Sequence, residues 1–179
     1  MCGLAPSRVL ASLNYSAGGW ESATVRVLPT SKIQVVTGTS PHGQGHETTF
    51  AQLVSDRLGI DINSVAIVHG DTDKVQFGMG TYGSRSGAVG MTAISKALDM
   101  VEAKAKRIAA AVMESSVDDI EFKNGTFTVK GTDRSLGLFE AATAAAIASA
   151  PRESRSRTDA RCSVSTAPAS TALTVMPDD

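Results

Sequence analysis

The run Thr37-Gly38-Thr39-Ser40-Pro41-His42-Gly43-Gln44-Gly45-His46-Glu47 gathers residue types suited to holding an anion. Glycines on both sides of Gln44 let the main chain approach a ligand closely while one carboxamide donates and accepts. Phe50, Leu53, Val54 and Leu58 then recur at helical spacing up to Gly59, so the turn opens a helix over Thr48–Leu58. Unpaired N–H groups and the macrodipole at such an opening favour phosphate. A second glycine-rich stretch follows, His69-Gly70-Asp71-Thr72-Asp73 and then Gly78-Met79-Gly80-Thr81-Tyr82-Gly83-Ser84-Arg85-Ser86-Gly87. It too is fed by a strand-like run, Val65-Ala66-Ile67-Val68, and empties into a helix. Two such loops can converge on one extended anion; taken singly, each also reads as a tight connection between elements.

Other chemistries compete for the same residues. His42 and His46 lie four apart, a spacing that chelates zinc on a helix face, but Pro41 and the glycines keep His42 out of the helix and the order is not His-Glu-x-x-His. No metal site is predicted. His69, Asp71 and Asp73 could serve as a general base or a metal cluster; the simpler reading has both aspartates forming turns and capping loop amides after a strand end. Arg85 is open to two readings, a ligand contact or a structural ion pair. Met79 and Tyr82 read as packing or loop-shaping residues.

The elements that must position these loops are an α/β mixture of two strand–glycine-loop–helix units with hairpins. Ala23–Leu28 and Lys32–Thr37 flank Pro29-Thr30-Ser31 and form a β-hairpin that delivers the first loop. From Ser86 to Ser115, Val89, Ala93, Ala97, Val101 and Ala105, with Ile94, Leu98, Ile108 and Val112 beside them, make a long amphipathic helix. A stripe of that width is core rather than a seat for a partner helix, and Lys104, Lys106 and Arg107 in its C-terminal half suit the dipole. Ile120–Lys123 and Thr126–Lys130 form a second hairpin about Asn124-Gly125, and Ser135–Ser149 starts a further helix.

With 179 residues the chain can bury one core or form one lobe of something larger. A net charge of -1 with both signs interspersed gives no basis for nucleic-acid or acidic-membrane binding. Cys2 and Cys162 stand at opposite ends without metal-like spacing, which fits a reducing compartment. No apolar run approaches the roughly 20 residues that span a bilayer. The expectation is a cytoplasmic protein with no membrane insertion.

The string Gly38–Thr48, followed by His69-Gly70-Asp71-Thr72-Asp73 and Gly80-Thr81-Tyr82-Gly83-Ser84-Arg85-Ser86, resembles the molybdopterin-binding large subunits of the xanthine dehydrogenase, aldehyde oxidase and aerobic carbon monoxide dehydrogenase family, the carbon-monoxide-dehydrogenase-like branch most of all. The resemblance is dense from about Met1 to Leu138 and fails after about Ala150. It implies part of a larger molybdopterin-binding domain that holds a molybdopterin cytosine dinucleotide with molybdenum. It places Gly43, Gln44, Gly45 and His46 against the pterin and pyrophosphate, and Gly83, Ser84, Arg85 and Ser86 beside the metal and pterin, with Tyr82 bordering the substrate funnel. The metal itself is carried by the pterin dithiolene, so no protein ligands are implied. The intact enzyme would oxidise carbon monoxide, a purine or an aldehyde with oxygen from water, passing electrons to iron–sulfur and flavin subunits or domains.

The resemblance also marks what is missing. The family's catalytic glutamate follows a glycine in a downstream motif, and no Gly-Glu pair occurs here, so no catalytic residue is assigned. Cys162-Ser163 follows the Gly-Gln-Gly turn where the family's cysteine loop precedes it, so that match is chance. Residues 1–150 read as the partial domain, beginning on a segment that resembles the family's interior. Residues 151–179 turn abruptly to Arg, Ser, Thr, Ala and Pro, a composition expected to be disordered and consistent with a frameshift. The chain thus reads as an internal fragment. The alternatives are a non-catalytic phosphate- or dinucleotide-binding module and an inactive gene remnant.

Overall fold

Strand alternation dictates the centre of the fold. In Trp20–Leu28 (β2) every second residue, Glu21, Ala23, Val25 and Val27, is buried. β2 pairs antiparallel with Lys32–Thr37 (β3), Val25 facing Val35, so the predicted hairpin is present but begins at Trp20 rather than Ala23. The computed structural model describes residues 7–12, 20–75 and 77–149. The chain's first residues, both cysteines and the tail from Pro151 lie outside these residues.

Ser7–Ser12 (β1), which has no counterpart among the strands predicted from sequence, pairs antiparallel with β2. Beyond β3, His46–Leu58 (α1) carries the chain back to Val65–Val68 (β4), which pairs parallel with β3. Parallel neighbours need such a crossover. The sheet order is therefore β1-β2-β3-β4, and α1 packs on β4. Helix α1 starts two residues before the predicted Thr48 because Gly45, in the left-handed region at φ 75°, turns the chain into it.

Met91–Val112 (α2) packs against β1, β2 and α1. Ala93, Ile94, Ala97, Leu98, Val101, Ala105 and Ala109 are buried along it. Each large aliphatic side chain on that face contributes about 1.5–3 kcal/mol by leaving water. Two details depart from the predicted helix. Residues Ser86–Gly90 form one turn of π-helix ahead of α2, where Gly90 packs so closely on Thr39 that a β-carbon would lie 2.9 Å from its methyl group. At the far end Val112 is 47% exposed while Ala109 and Met113 are buried, because the core ridge runs at intervals of four from Ala93 and Val112 stands on the next ridge round.

Ile120–Lys123 (β5) and Thr126–Val129 (β6) form the second hairpin, with Asn124 and Gly125 at φ 49° and 73° in the two-residue turn. Ser135–Gly137 (β7) pairs with β6, and Leu138–Ser149 (α3) follows it. The sequence assigned all of 135–149 to a helix; a three-residue strand is too short to show alternation. α3 packs on α2 and β2, joining the small sheet to the large core. Among the described residues no helix is long and apolar enough to cross a membrane.

Candidate functional site

The first loop runs from Gly38 at the end of β3 to Gly45 at the start of α1; the second follows β4 and ends at Arg85. They cross at Gly38 and Gly78. A β-carbon on Gly38 would collide with Gly78 Cα and sit 2.7 Å from the Phe77 carbonyl oxygen; one on Gly78 would meet Gly38 O at 2.7 Å. Only glycine at both positions permits this approach. Gly80 N–H donates to Gly38 O at 3.3 Å, and Ser40 N–H donates to Thr81 Oγ1 at 3.1 Å. Thr81 Oγ1 lies 3.0 Å from Ser86 Oγ, tying the crossing to the π-helical turn.

Beyond the crossing the loops part and leave an open cleft of about 360 Å³. Gln44 and His46 line one side; Thr81, Tyr82, Gly83, Ser84, Ser86 and Gly87 line the other. Five of the eight residues predicted to contact a cofactor, Gln44, His46, Gly83, Ser84 and Ser86, thus meet in one place. Gly43 and Gly45 shape the turn, at φ 98° and 75°, without lining the cleft. Arg85 points the other way.

The Arg85 side chain is only 3% exposed and Glu21 is fully buried; their Nη1 and Oε2 atoms are 2.6 Å apart. Arg85 also donates to Gly80 O at 2.7 Å and to Trp20 O, and its guanidinium carbon lies 5.4 Å from the Tyr82 ring centroid. Of the two readings open in the sequence, the ion pair is the one this geometry contains. Glu21 itself was not singled out from sequence. Carrying the β2 alternation one step back from Ala23 would have set an acid on the core face, where it demands a cation.

No lining side chain carries a carboxylate, and none carries a fixed positive charge. What the lining can offer an anion is dipoles. α1 begins at Gly45 with no side-chain cap, leaving its first-turn N–H groups open, and hydroxyls of Thr81, Ser84 and Ser86 add rotatable donors. Gln44 Oε1 accepts from His42 N–H, so its carboxamide NH2 remains as the outward donor. His46 stacks on Phe50, ring centroids 5.4 Å apart, and its buried Nδ1 has no hydrogen-bond partner. His42 stands outside the helix.

The remaining candidates serve the loop's shape. His69 Nε2 and Glu47 Oε1 are 2.7 Å apart, linking the end of β4 to the first turn of α1. Asp71 closes a turn: its Oδ1 accepts from Asp73 N–H at 3.1 Å and its main-chain oxygen from Val75 N–H at 2.7 Å. The Lys74 ammonium, 2.7 Å from Oδ2, holds the Asp71 carboxyl below the usual aspartate range. Among the described residues no three of His, Cys, Asp or Glu gather as a metal site.

The family described as the molybdopterin cofactor-binding domain matches residues 2–172, running past Ala150, where the resemblance read from sequence stops. The carbon monoxide dehydrogenase large chain of Hydrogenophaga pseudoflava is 38% identical over 131 residues, 73% of this chain and 16% of that one. Subunit gamma of the 6-hydroxypseudooxynicotine dehydrogenase complex of Paenarthrobacter nicotinovorans is 40% identical over 127 residues, 71% of this chain and 16% of that one. The reconstituted CO dehydrogenase from Oligotropha carboxidovorans superposes with a TM-score of 0.70 at 34% identity, covering 82% of this chain and 19% of that chain. The chain therefore spans about a sixth of the relatives it matches. With the family match running over nearly its whole length and the same fold in a solved relative, the chain belongs to the molybdopterin-binding large-subunit family of the carbon monoxide and xanthine dehydrogenases.

Proposed function

We propose that the cleft between the two glycine loops holds the pterin and pyrophosphate of a molybdopterin dinucleotide, in its cytosine form. The observation that carries this reading is the convergence of Gln44 and His46 with Gly83, Ser84 and Ser86 on one cleft whose lining is free of carboxylates. The donor set fits such a group. A pyrophosphate calls for N–H and O–H donors, which the open start of α1 and the serine and threonine hydroxyls supply. A polar pterin calls for mixed donors and acceptors, which Gln44 and main-chain amides supply.

When bound, the molybdenum cofactor supplies two-electron redox chemistry. This chain's own residues bind and orient: Gln44, His46, Gly83, Ser84 and Ser86 by contact, Gly43 and Gly45 by shaping the turn, and Arg85 by supporting its loop from beneath. In the assembled enzyme we place the activity as oxidation of carbon monoxide, a purine or an aldehyde with oxygen from water, with iron–sulfur and flavin subunits as electron carriers and the cytoplasm as its location. The chain carries no matching catalytic glutamate, and its role is cofactor binding.

The test is amide mapping of the 15N-labelled chain titrated with molybdopterin cytosine dinucleotide and, separately, cytidine diphosphate. Shifts concentrated at Gln44–Glu47 and Gly83–Gly87 with both ligands are expected. Shifts with cytidine diphosphate alone would favour a general phosphate-binding module, and shifts with neither would refute the cleft as an anion site.

A further inference from the structure

We infer that Glu21 is a positioning residue for the cleft, a buried clasp that holds the arm of the second loop at the height where it can share a ligand with the Gln44–His46 turn. The inference rests on the cleft being the ligand site proposed above. Glu21 occupies the core-facing position nearest the start of β2, where a branched apolar residue would satisfy the fold at least as well as a buried acid. What the acid adds is a set of ties to the loop above it. Its Oε2 meets Arg85 Nη1 at 2.6 Å and accepts from Met79 N–H at 3.4 Å. Its Oε1 accepts from Ser22 N–H at 3.0 Å and lies directly beneath Gly38, where no side chain would fit.

The neighbours of Glu21 extend the same fastening. Ser22 Oγ donates to Phe77 O, and Arg85 bridges Trp20 O to Gly80 O. Residues 77, 79, 80 and 85 of the second loop are thus tied to residues 20–22 of β2, while Thr81, Tyr82, Gly83 and Ser84 project between the tied points to the cleft. A second observation shows that this arm needs outside support. Ser84 sits in the left-handed region at φ 56°, immediately after Gly83 at φ 56°. A non-glycine residue holds that conformation only when its surroundings impose it. The clasp fastens residues 79, 80 and 85 on either side of it, and a neutral cleft that meets anions with aimed dipoles depends on the aim being kept.

A purely structural ion pair and a positioning pair differ in what survives removal of both charges. Glu21→Ala alone leaves a buried guanidinium without its counter-ion and unfolds easily, so the informative variant is Glu21→Gln with Arg85→Met in the full chain, which removes the uncompensated charge at similar volume. The urea midpoint of the double variant is expected to lie above that of Glu21→Ala, since no buried charge is left unpaired, and below that of the parent, since Gly80 O and Trp20 O lose their donor. Amide hydrogen exchange of Gly80 and Arg85, whose N–H groups donate to Gly38 O at 3.3 Å and Tyr82 O at 3.2 Å, is expected to quicken at least tenfold, by more than any change in the amides of β3 and α2, and cytidine diphosphate, as the probe, is expected to bind at least tenfold more weakly. A double variant with parental exchange at Gly80 and Arg85 overturns the positioning role whether or not the probe binds. Failure of the parent chain to bind the probe counts instead against the cleft as a ligand site, and the exchange comparison still decides the clasp.

Discussion

Replacing Gly38 by alanine tests whether the two loops are welded at their crossing. The new β-carbon would collide with Gly78 Cα and with the buried Glu21 Oε1 and sit 2.7 Å from the Phe77 carbonyl oxygen, so two of the three obstacles are main chain and cannot rotate aside. Overpacking of this kind costs about 1–3 kcal/mol. Parting the strands also breaks the 3.3 Å bond from Gly80 N–H to Gly38 O, a further ~0.5–1.5 kcal/mol. The sum, about 1.5–4.5 kcal/mol, is a large fraction of the 5–15 kcal/mol typical of a folded domain. With a urea slope of about 2 kcal/mol/M, the midpoint should fall by ~1–2 M. Two other glycines separate the causes. Gly87→Ala enters open space at an ordinary φ and should stay within about 0.5 kcal/mol of the parent. Gly43→Ala also enters open space but at φ 98°, so only backbone strain of about 1–2 kcal/mol applies. Gly38→Ala and Gly78→Ala should be less than additive, since either one already opens the crossing. Equal urea midpoints for Gly38→Ala and Gly87→Ala would refute the close approach as a source of stability.

Leu98→Ala on α2 empties a site only 1% exposed and should cost about 2–5 kcal/mol by equilibrium unfolding; a cost below 1 would mean that α2 does not cover the core of β2. The Asp71 carboxyl should titrate below the ordinary aspartate value of about 3.9 and return toward it in Lys74→Met, followed by carboxyl NMR. Because the folded value is the depressed one, the stabilisation linked to Asp71 is complete above the unfolded pKa and disappears as pH falls through the folded value. Gln44→Ala, exposed and outside the core, should leave the unfolding midpoint unchanged and weaken retention of the pterin dinucleotide in a complete large subunit by ~1–3 kcal/mol, read as pterin released on denaturation. The isolated chain should reduce no dye with carbon monoxide, purines or aldehydes, since no glutamate follows a glycine anywhere in it; turnover by the pure chain would reverse that assignment.

Elements with a strong period were visible in the residues alone. The 2.0 alternation of Ala23–Leu28, the Asn124-Gly125 turn and the apolar stripe from Ala93 to Ala105 each repeat one local rule, and each stands in the structure where that rule puts it. β1 and β7 did not show because their sequences carry no such period, and both exist by pairing with a neighbour. The π-helical turn at Ser86–Gly90 ends where Gly90 packs against Thr39, a residue far away in the chain. Tertiary contact of that range has no local signature.

The site divides along the same line. Residue type told that Ser84 and Arg85 could both serve an anion, but type does not tell which side of a turn a residue takes. Ser84, at φ 56°, faces the cleft; Arg85, next in sequence, returns to αR geometry and drops its guanidinium onto Glu21. The side was settled by Glu21, sixty-four positions earlier, whose own burial follows from β2 alternation. A guanidinium spent inside leaves the cleft with aimed N–H and O–H groups rather than a free cation. Such groups discriminate by direction, so they suit a ligand held in one orientation better than a diffuse anion caught by charge. On the proposed reading of the cleft, the charge beneath and the neutral donors above are therefore two halves of one device: the first holds the loop still, and donors that act by direction need a loop held still.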